Sequence, residues 1–320
     1  MNSPLPTGPP HPIISLRIMG GLGNQLFGLA AAIHLRDVVG VPIVLDPQFY
    51  SEDNPDTDSR SFEIDELPHG FKTIRGRGRS SRIRALPRAL RRRFITRGAR
   101  VVLFNEAVAE ARADDDSTPT ARALIELTQH EPPYWQSPKP AQENQAALRS
   151  VLESRIPLAF QPETDSPYIG VHSRLGDYLN DRWRGYFGPT DPAQLLELGR
   201  QLSQKHGDLP IRVFTDSPVI FKRLCPESTM GPYEISDAVS SWDALTGMAR
   251  SHAFVMSNST LSWWAAFIAT TYRPEPVDVF MPFPWHVTPD RADNLLPLPG
   301  WTRYERRLLP ESAEFTPWGT

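Results

Sequence analysis

The stretch FVMSNSTLSWWAAFIAT, Phe254 to Thr270, opens as a buried strand and closes as a buried helix, with Ser257, Asn258, Ser259 and Thr260 between them. A strand that passes straight into an apolar helix is one step of an α/β layer structure, in which helices cover a parallel sheet. Small polar residues at such a junction fit a helix start, where hydroxyl and amide side chains cap free backbone N–H groups. One cap needs fewer than four of them. Unpaired donors at a helix start also attract anions, so a phosphate-bearing ligand is the competing explanation for the excess.

The same rhythm extends on both sides. YIGVHSR from Tyr168 reads as a strand, and TDPAQLLELGRQLSQKHG reads as a helix with Asp191 near its start and Gly207 after its end. PIRVFTDS is a strand, PVIFKRLC a short helix, SSWDALTGMARS a helix, HAFVMS a strand, TLSWWAAFIAT a helix and VDVFMP a strand. Four strands separated by helices predict a doubly wound parallel sheet. Nearer the N-terminus, IISLRI (Ile13 to Ile18) reads as a strand, MGGLGNQ as a glycine turn, and NQLFGLAAAIHLRDVVG as a helix stopped by Gly40. VPIVLD is the next strand, so this too is a parallel βαβ unit.

The expected fold class is therefore α/β, with two Rossmann-like doubly wound domains facing across a cleft. The expected divisions are a disordered segment 1–12, an N-terminal α/β domain 13–160 with an Arg-rich insertion, and a C-terminal domain 161–300. The remaining segment, 301–320, is expected to pack back on the N-terminal domain.

Composition narrows the chemistry. The 320 residues are 40% apolar, enough for a sizeable core, and the net charge of −3 does not suit a protein built to embrace nucleic acid. Cys225 is the single cysteine, which excludes an internal disulfide framework and multi-cysteine metal sites and fits a reducing, cytoplasmic setting. The N-terminus lacks the pattern of a secretion signal, and no window reaches the roughly 18 apolar residues of a membrane span. The arginines from Arg75 to Arg100 read as a solvated helical excursion, with peripheral contact to acidic lipid headgroups or another polyanion as the second reading. The acidic run Asp114 to Asp116 resembles a divalent-ion site, but its flanks are loop-like and a solvated acidic loop explains it better. Oligomeric state is not legible.

In open α/β sheets, ligands bind beyond the carboxyl ends of the strands. The unusual residues fall at those ends: Asn24 and Gln25 after the first strand, His172, Arg174 and Asp177 after the strand from Tyr168, Asp216 after PIRVF, and Ser257 to Thr260 after HAFVM. Gly21, Gly23 and Asp46 together resemble the start of a dinucleotide fingerprint, but Leu26 stands where its third glycine belongs. A tight turn that aims Asn24 explains the same letters. Arg174 offers a fixed cation with forked donors suited to a diphosphate, and Asp177 is close enough in sequence to orient it; a structural ion pair is the bland alternative. His172 reads equally as an acid, a base or a satisfied hydrogen-bonding histidine.

Taken in order, GGLGNQLF, HSRLGDY, VFTDS and SNSTLSWWAAF resemble the motifs of the α-1,2-fucosyltransferases, glycosyltransferase family 11, from about Met19 to Phe267. The resemblance implies a GT-B architecture, GDP-fucose as the donor, inversion at the fucose carbon, no cofactor or metal, and a galactose-terminated oligosaccharide as the acceptor. It implies donor binding by Gly21, Gly23, Arg174, Asp216 and Ser257 to Thr260, and a catalytic set of Arg174, Asp177, His172 and Asn24. Two positions depart from the pattern: Leu175 stands in place of a second arginine, and Ser217 in place of a second acid. Trp263 and Trp264 are expected to be core. The rival functions are an NAD-dependent oxidoreductase and a non-catalytic protein that binds a sugar nucleotide or glycan.

Overall fold

The structure, a computed structural model, describes residues 13–39, 43–50, 60–73, 124–127, 135–287 and 296–310. The chain divides into two compact units, Met1–Leu148 and Arg149–Thr320. The N-terminal segment 1–12, the Arg-rich run, the Asp114 to Asp116 run and residues 311–320 lie outside the described residues.

The N-terminal unit contains β1 (Ile13–Arg17), α1 (Leu22–Val39), β2 (Ile43–Asp46), β3 (Lys72–Thr73), β4 (Leu124–Leu127) and α2 (Pro138–Glu143). Its sheet runs β3-β2-β1-β4, every pairing parallel. Because β2 and β3 lie on one side of β1 and β4 on the other, the sheet is doubly wound, with its reversal beside β1. Helix α1 is buried almost all round, from Leu22 through Leu26, Phe27, Leu29 and Ile33 to Leu35, and α2 packs on it.

The C-terminal unit takes in most of α3 (Gln145–Glu153), then β5 (Ile169–Ser173), α4 (Asp181–Phe187), α5 (Pro192–Lys205), β6 (Ile211–Thr215), α6 (Pro218–Leu224), α7 (Glu227–Met230) and β7 (Glu234–Ile235). It ends with α8 (Ser241–Arg250), β8 (Ala253–Val255), α9 (Thr260–Tyr272), β9 (Asp278–Phe283) and β10 (Thr302–Glu305). The six strands are parallel in the order β10-β9-β8-β5-β6-β7. The four strands read from the sequence form its centre, with β7 and β10 added at the edges.

Local chemistry explains where the helices begin. Asp191 caps α5 by accepting from Ala193 N at 2.9 Å with Pro192 in the first turn, and Ser240 caps α8 by accepting from Asp243 N at 3.1 Å. Trp263 and Trp264 are wholly buried, Trp263 stacking on Phe267 and donating from Nε1 to Leu296 O at 2.8 Å, so both are core as expected.

The units differ from the expected divisions in two places. The boundary lies at Leu148 rather than near residue 160 because the 3₁₀ turn Pro157–Phe160 packs on α8 and α9, with Phe160 against the ring of Tyr272. Residues 301–310, the described part of the expected segment 301–320, belong to the C-terminal unit. They form β10 on the edge of β9, and the Tyr304 hydroxyl donates to Met256 O at 2.7 Å.

Candidate functional site

From β5 the chain winds outward to β6 and β7, then returns to the other side of β5 for β8, β9 and β10. The reversal lies between β5 and β8, and their carboxyl ends are where a doubly wound sheet binds its ligand. His172 lies near that end of β5 with Arg174 just beyond it, Asp216 follows β6, and Ser257 to Thr260 join β8 to α9. The order of the strands thus gathers residues that are distant in sequence.

Arg174 is the centre of the charge. Its Nε and Nη2 donate to Asp177 Oδ1 at 3.1 and 2.7 Å, and its Nη1 stands 2.9 Å from Asp216 Oδ2. Asp216 Oδ1 accepts from the backbone N–H groups of Leu175 and Gly176 at 3.0 and 3.2 Å, so one carboxylate pins both the loop and the guanidinium. Gly176 makes this possible: a Cβ there would stand 2.4 Å from Asp216 Oδ2. Burial works against the Arg174 charge, but Asp216 and Asp177 outweigh it and push the guanidinium pKa up, so the site keeps its cation at every accessible pH. Nε and one N–H of Nη2 serve Asp177 and Nη1 faces Asp216 as an ion pair, which leaves N–H groups on Nη1 and Nη2 for a ligand. Asp216, expected among the donor-binding residues, has both oxygens engaged within the chain. Leu175, at the position of the departure from the motif pattern, is buried in the core.

His172 faces α9. Its Nδ1 contacts the hydroxyls of Ser262 and Ser257, the latter at 3.0 Å. Burial lowers its pKa to about 4, with Asp216 opposing and Arg174 adding to the shift, so the ring is neutral at ordinary pH. Of the readings left open by the sequence, the satisfied hydrogen-bonding histidine describes it. Asn258 is likewise committed inside the fold: Nδ2 donates to Phe187 O at 2.9 Å and lies 3.3 Å from Trp285 O, while Oδ1 accepts from the Thr190 hydroxyl at 3.4 Å. Its side chain has no donor left for a ligand.

Ser259 and Thr260 remain available. Ser259 is the N-cap residue of α9, but its hydroxyl makes no capping bond, while Ser259 N donates back to Ser257 O at 2.8 Å in a γ-turn. Ser259 thus leaves the first-turn N–H groups of α9 without a cap from its side chain, and no other described side chain accepts from them, which is the anion-attracting form of a helix start. Tyr178, passed over in the sequence reading, links this turn to the arginine. Its hydroxyl donates to Asn258 O at 3.0 Å, the Arg174 guanidinium stands 5.8 Å from its ring centroid, and the ring stacks on Phe187 at 4.7 Å. Its place directly after Asp177 in the motif was the available signal.

Asn24, Gly21 and Gly23 belong to the N-terminal unit. The left-handed conformation of the turn falls on Gly20 (φ +80°), not on Gly21 or Gly23, because α1 begins at Leu22 and makes Gly23 helical. Asn24 thus sits in the first turn of α1, its Oδ1 accepting from Gln136 Nε2 at 3.0 Å. Gln25 is a buried staple, donating from Nε2 to Gly20 O and Ser61 O and accepting at Oε1 from Glu63 N and Ile64 N. Asp46 is buried and pairs with Arg17 at 3.3 Å. Among the described residues no group of three or more metal-ligating side chains converges, and no helix is long and apolar enough to cross a membrane.

Residues 128–273 match the model of glycosyl transferase family 11. The chain is 28% identical over 175 residues to galactoside alpha-(1,2)-fucosyltransferase 1 of Rattus norvegicus, a match covering 51% of this chain and 43% of the relative. The corresponding protein of Mus musculus is 27% identical over 173 residues, again covering 51% of this chain and 43% of the relative. The chain thus spans under half the length of these curated relatives. Among solved structures, it resembles the fucosyltransferase NodZ from Bradyrhizobium (17% identity, 81% of this chain and 93% of that one, TM-score 0.45). It also resembles POFUT1 in complex with GDP-fucose (14% identity, 86% and 99%, TM-score 0.45). Three of the four ordered motifs, HSRLGDY, VFTDS and SNSTLSWWAAF, fall within the residues that match the model of glycosyl transferase family 11.

Proposed function

We propose that this protein is an inverting, metal-independent glycosyltransferase that moves L-fucose from GDP-β-L-fucose to the 2-hydroxyl of a terminal β-galactose. The observation that carries the proposal is the pairing, at the reversal of the second sheet, of a doubly braced arginine with an uncapped helix start, bridged by Tyr178. A departing nucleoside diphosphate gains negative charge as its bond to the sugar lengthens, and fixed donors aimed at that charge lower the barrier. Arg174 supplies the remaining N–H groups of Nη1 and Nη2, and the start of α9 supplies backbone donors with the Ser259 and Thr260 hydroxyls.

In this reading the acceptor hydroxyl attacks the anomeric carbon from the face opposite GDP, the C–O bond to the β-phosphate breaks, and the electron pair leaves with GDP. Asp177 and Asp216 hold the guanidinium flat and in place. His172, neutral and tied to two serines, supports the α9 turn rather than taking the hydroxyl proton; Asp177 is the better candidate for that proton. Asn24 is assigned to sugar contact. The names of the curated relatives support the galactose acceptor and the linkage.

The test is GDP-fucose with a panel of β-galactosides, with and without excess chelator, following released GDP. Transfer is expected in both conditions, and Arg174→Ala should lower kcat by about 10²–10³-fold with an unchanged circular dichroism spectrum. GDP should raise the Tm of the unaltered protein and raise it less in Arg174→Ala, because a ligand that binds only the native state stabilises it. A Tm rise with NAD and none with GDP would support the oxidoreductase instead. Loss of transfer in chelator, restored by manganese, would overturn metal independence.

A further inference from the structure

We propose that Gln136 is a positioning residue that sets which end of the Asn24 amide is offered to an oxygen of the sugar substrate; this rests on the contact between Asn24 and the sugar proposed above. The two ends of a carboxamide have nearly the same shape and opposite polarity, so a neighbouring group decides which way it points. Gln136 Nε2 donates to Asn24 Oδ1 at 3.0 Å. With the carbonyl end taken, the Nδ2 donors are left to meet a ligand oxygen. Gly20 makes room for them: besides its φ of +80°, a Cβ there would stand 2.5 Å from Asn24 Nδ2.

The turn that delivers Gln136 is costly. Trp135 adopts φ +59°, the left-handed region that bulky side chains avoid. It is held there by its Nε1, which donates to Arg17 O at 3.2 Å, and by its carbonyl, which accepts from Ser137 N at 2.7 Å. Gln136 is 5% exposed, and its Oε1 has no hydrogen-bond partner among the described residues. A buried amide normally uses both ends, as Gln25 does next door with two donations and two acceptances. Gln136 instead leaves one end unused and spends the other on Asn24. A strained backbone and an unsatisfied carbonyl in adjacent residues mark a turn kept for what it positions.

The experiment pairs Gln136→Glu, which keeps the size but removes the Nε2 donor, and Gln136→Leu, which removes both polar ends, with Asn24→Ala alone and in combination. With GDP-fucose and lactose, each Gln136 variant is expected to lower kcat/KM at least tenfold while its Tm stays within a few degrees. Neither should lower it further in the Asn24→Ala background, because a residue that acts only through Asn24 has nothing left to position. A folded Gln136→Leu with unchanged kcat/KM, or losses that multiply with Asn24→Ala, would overturn the proposal. If the unaltered protein transfers no fucose to any galactoside, the proposed function fails, and the side-chain amide resonances of Asn24, recorded by ¹H–¹⁵N NMR without ligand, still decide this point. They should shift in both Gln136 variants; unchanged resonances would overturn the positioning role.

Discussion

Asp216 illustrates how one side chain can carry two separable duties. Oδ1 accepts from the N–H groups of Leu175 and Gly176, and Oδ2 faces Arg174 Nη1 at 2.9 Å. Asp216→Asn keeps an acceptor for the two amides but sets an NH₂ group or an uncharged oxygen against the guanidinium. The ion pair is part-exposed and worth about 0–1 kcal/mol of stability, so Tm should change little, whereas a misplaced guanidinium should lower transfer about 10–100-fold. Asp216→Ala removes both duties and should cost stability as well. Both are read by steady-state rates beside a thermal melt, and equal activity in the asparagine variant and the unaltered protein would show that Arg174 is held by Asp177 alone. The acid after VFT is visible in the sequence, but its partners are not. Their distance along the chain is closed only by the parallel pairing of β5 with β6.

At the scale of elements, the central strands β5, β6, β8 and β9 and their helices were legible because each is a short apolar run bounded by a cap or a glycine. The edge strands were not. β7 is two residues long, and β10, TRYE, alternates too briefly to show a period. That gap is why residues 301–310 were not read as part of the C-terminal sheet, and it also hid the anchoring of β10. Tyr304 is nearly buried and its hydroxyl serves Met256 O in the chain between β8 and the α9 turn, while Arg306 Nη1 donates to the carbonyls of Phe187 and Gly188. Tyr304→Phe removes one hydroxyl and leaves a buried carbonyl unserved, a loss of about 1–3 kcal/mol. For a unit of this size each kcal/mol lowers Tm by about 2–4 °C. A melt of the variant should fall accordingly, whereas an unchanged Tm would mean that β10 does not support the site's floor. Asn258, Gln136 and Gln25 were equally illegible in role, since an amide that staples carbonyls and one that meets a ligand are spelled with the same letters.

Across the whole molecule, pH reports how many histidines fold in the neutral form. Burial lowers the pKa of His69, His172 and His252, and His172 reaches about 4. A histidine of depressed pKa binds fewer protons folded than unfolded, so stability is full above the ordinary value near 6.5 and declines as pH falls from there toward the folded value. For His172 that window runs from about 6.5 down to 4 and is worth about 3 kcal/mol at its lower end. Asp278, lowered chiefly by its hydrogen bond to Lys205, adds a loss in the same direction at still lower pH, as its carboxylate protonates. Denaturant midpoints measured from pH 8 to 4 should therefore be flat above about 7 and then fall. In His172→Gln, which stays uncharged across this range, the fall between 6.5 and 4 should be shallower. A parallel slope in the two proteins would mean that the imidazole beside Ser257 and Ser262 is charged in the folded state, and the neutral ring that supports the α9 turn would have to be abandoned.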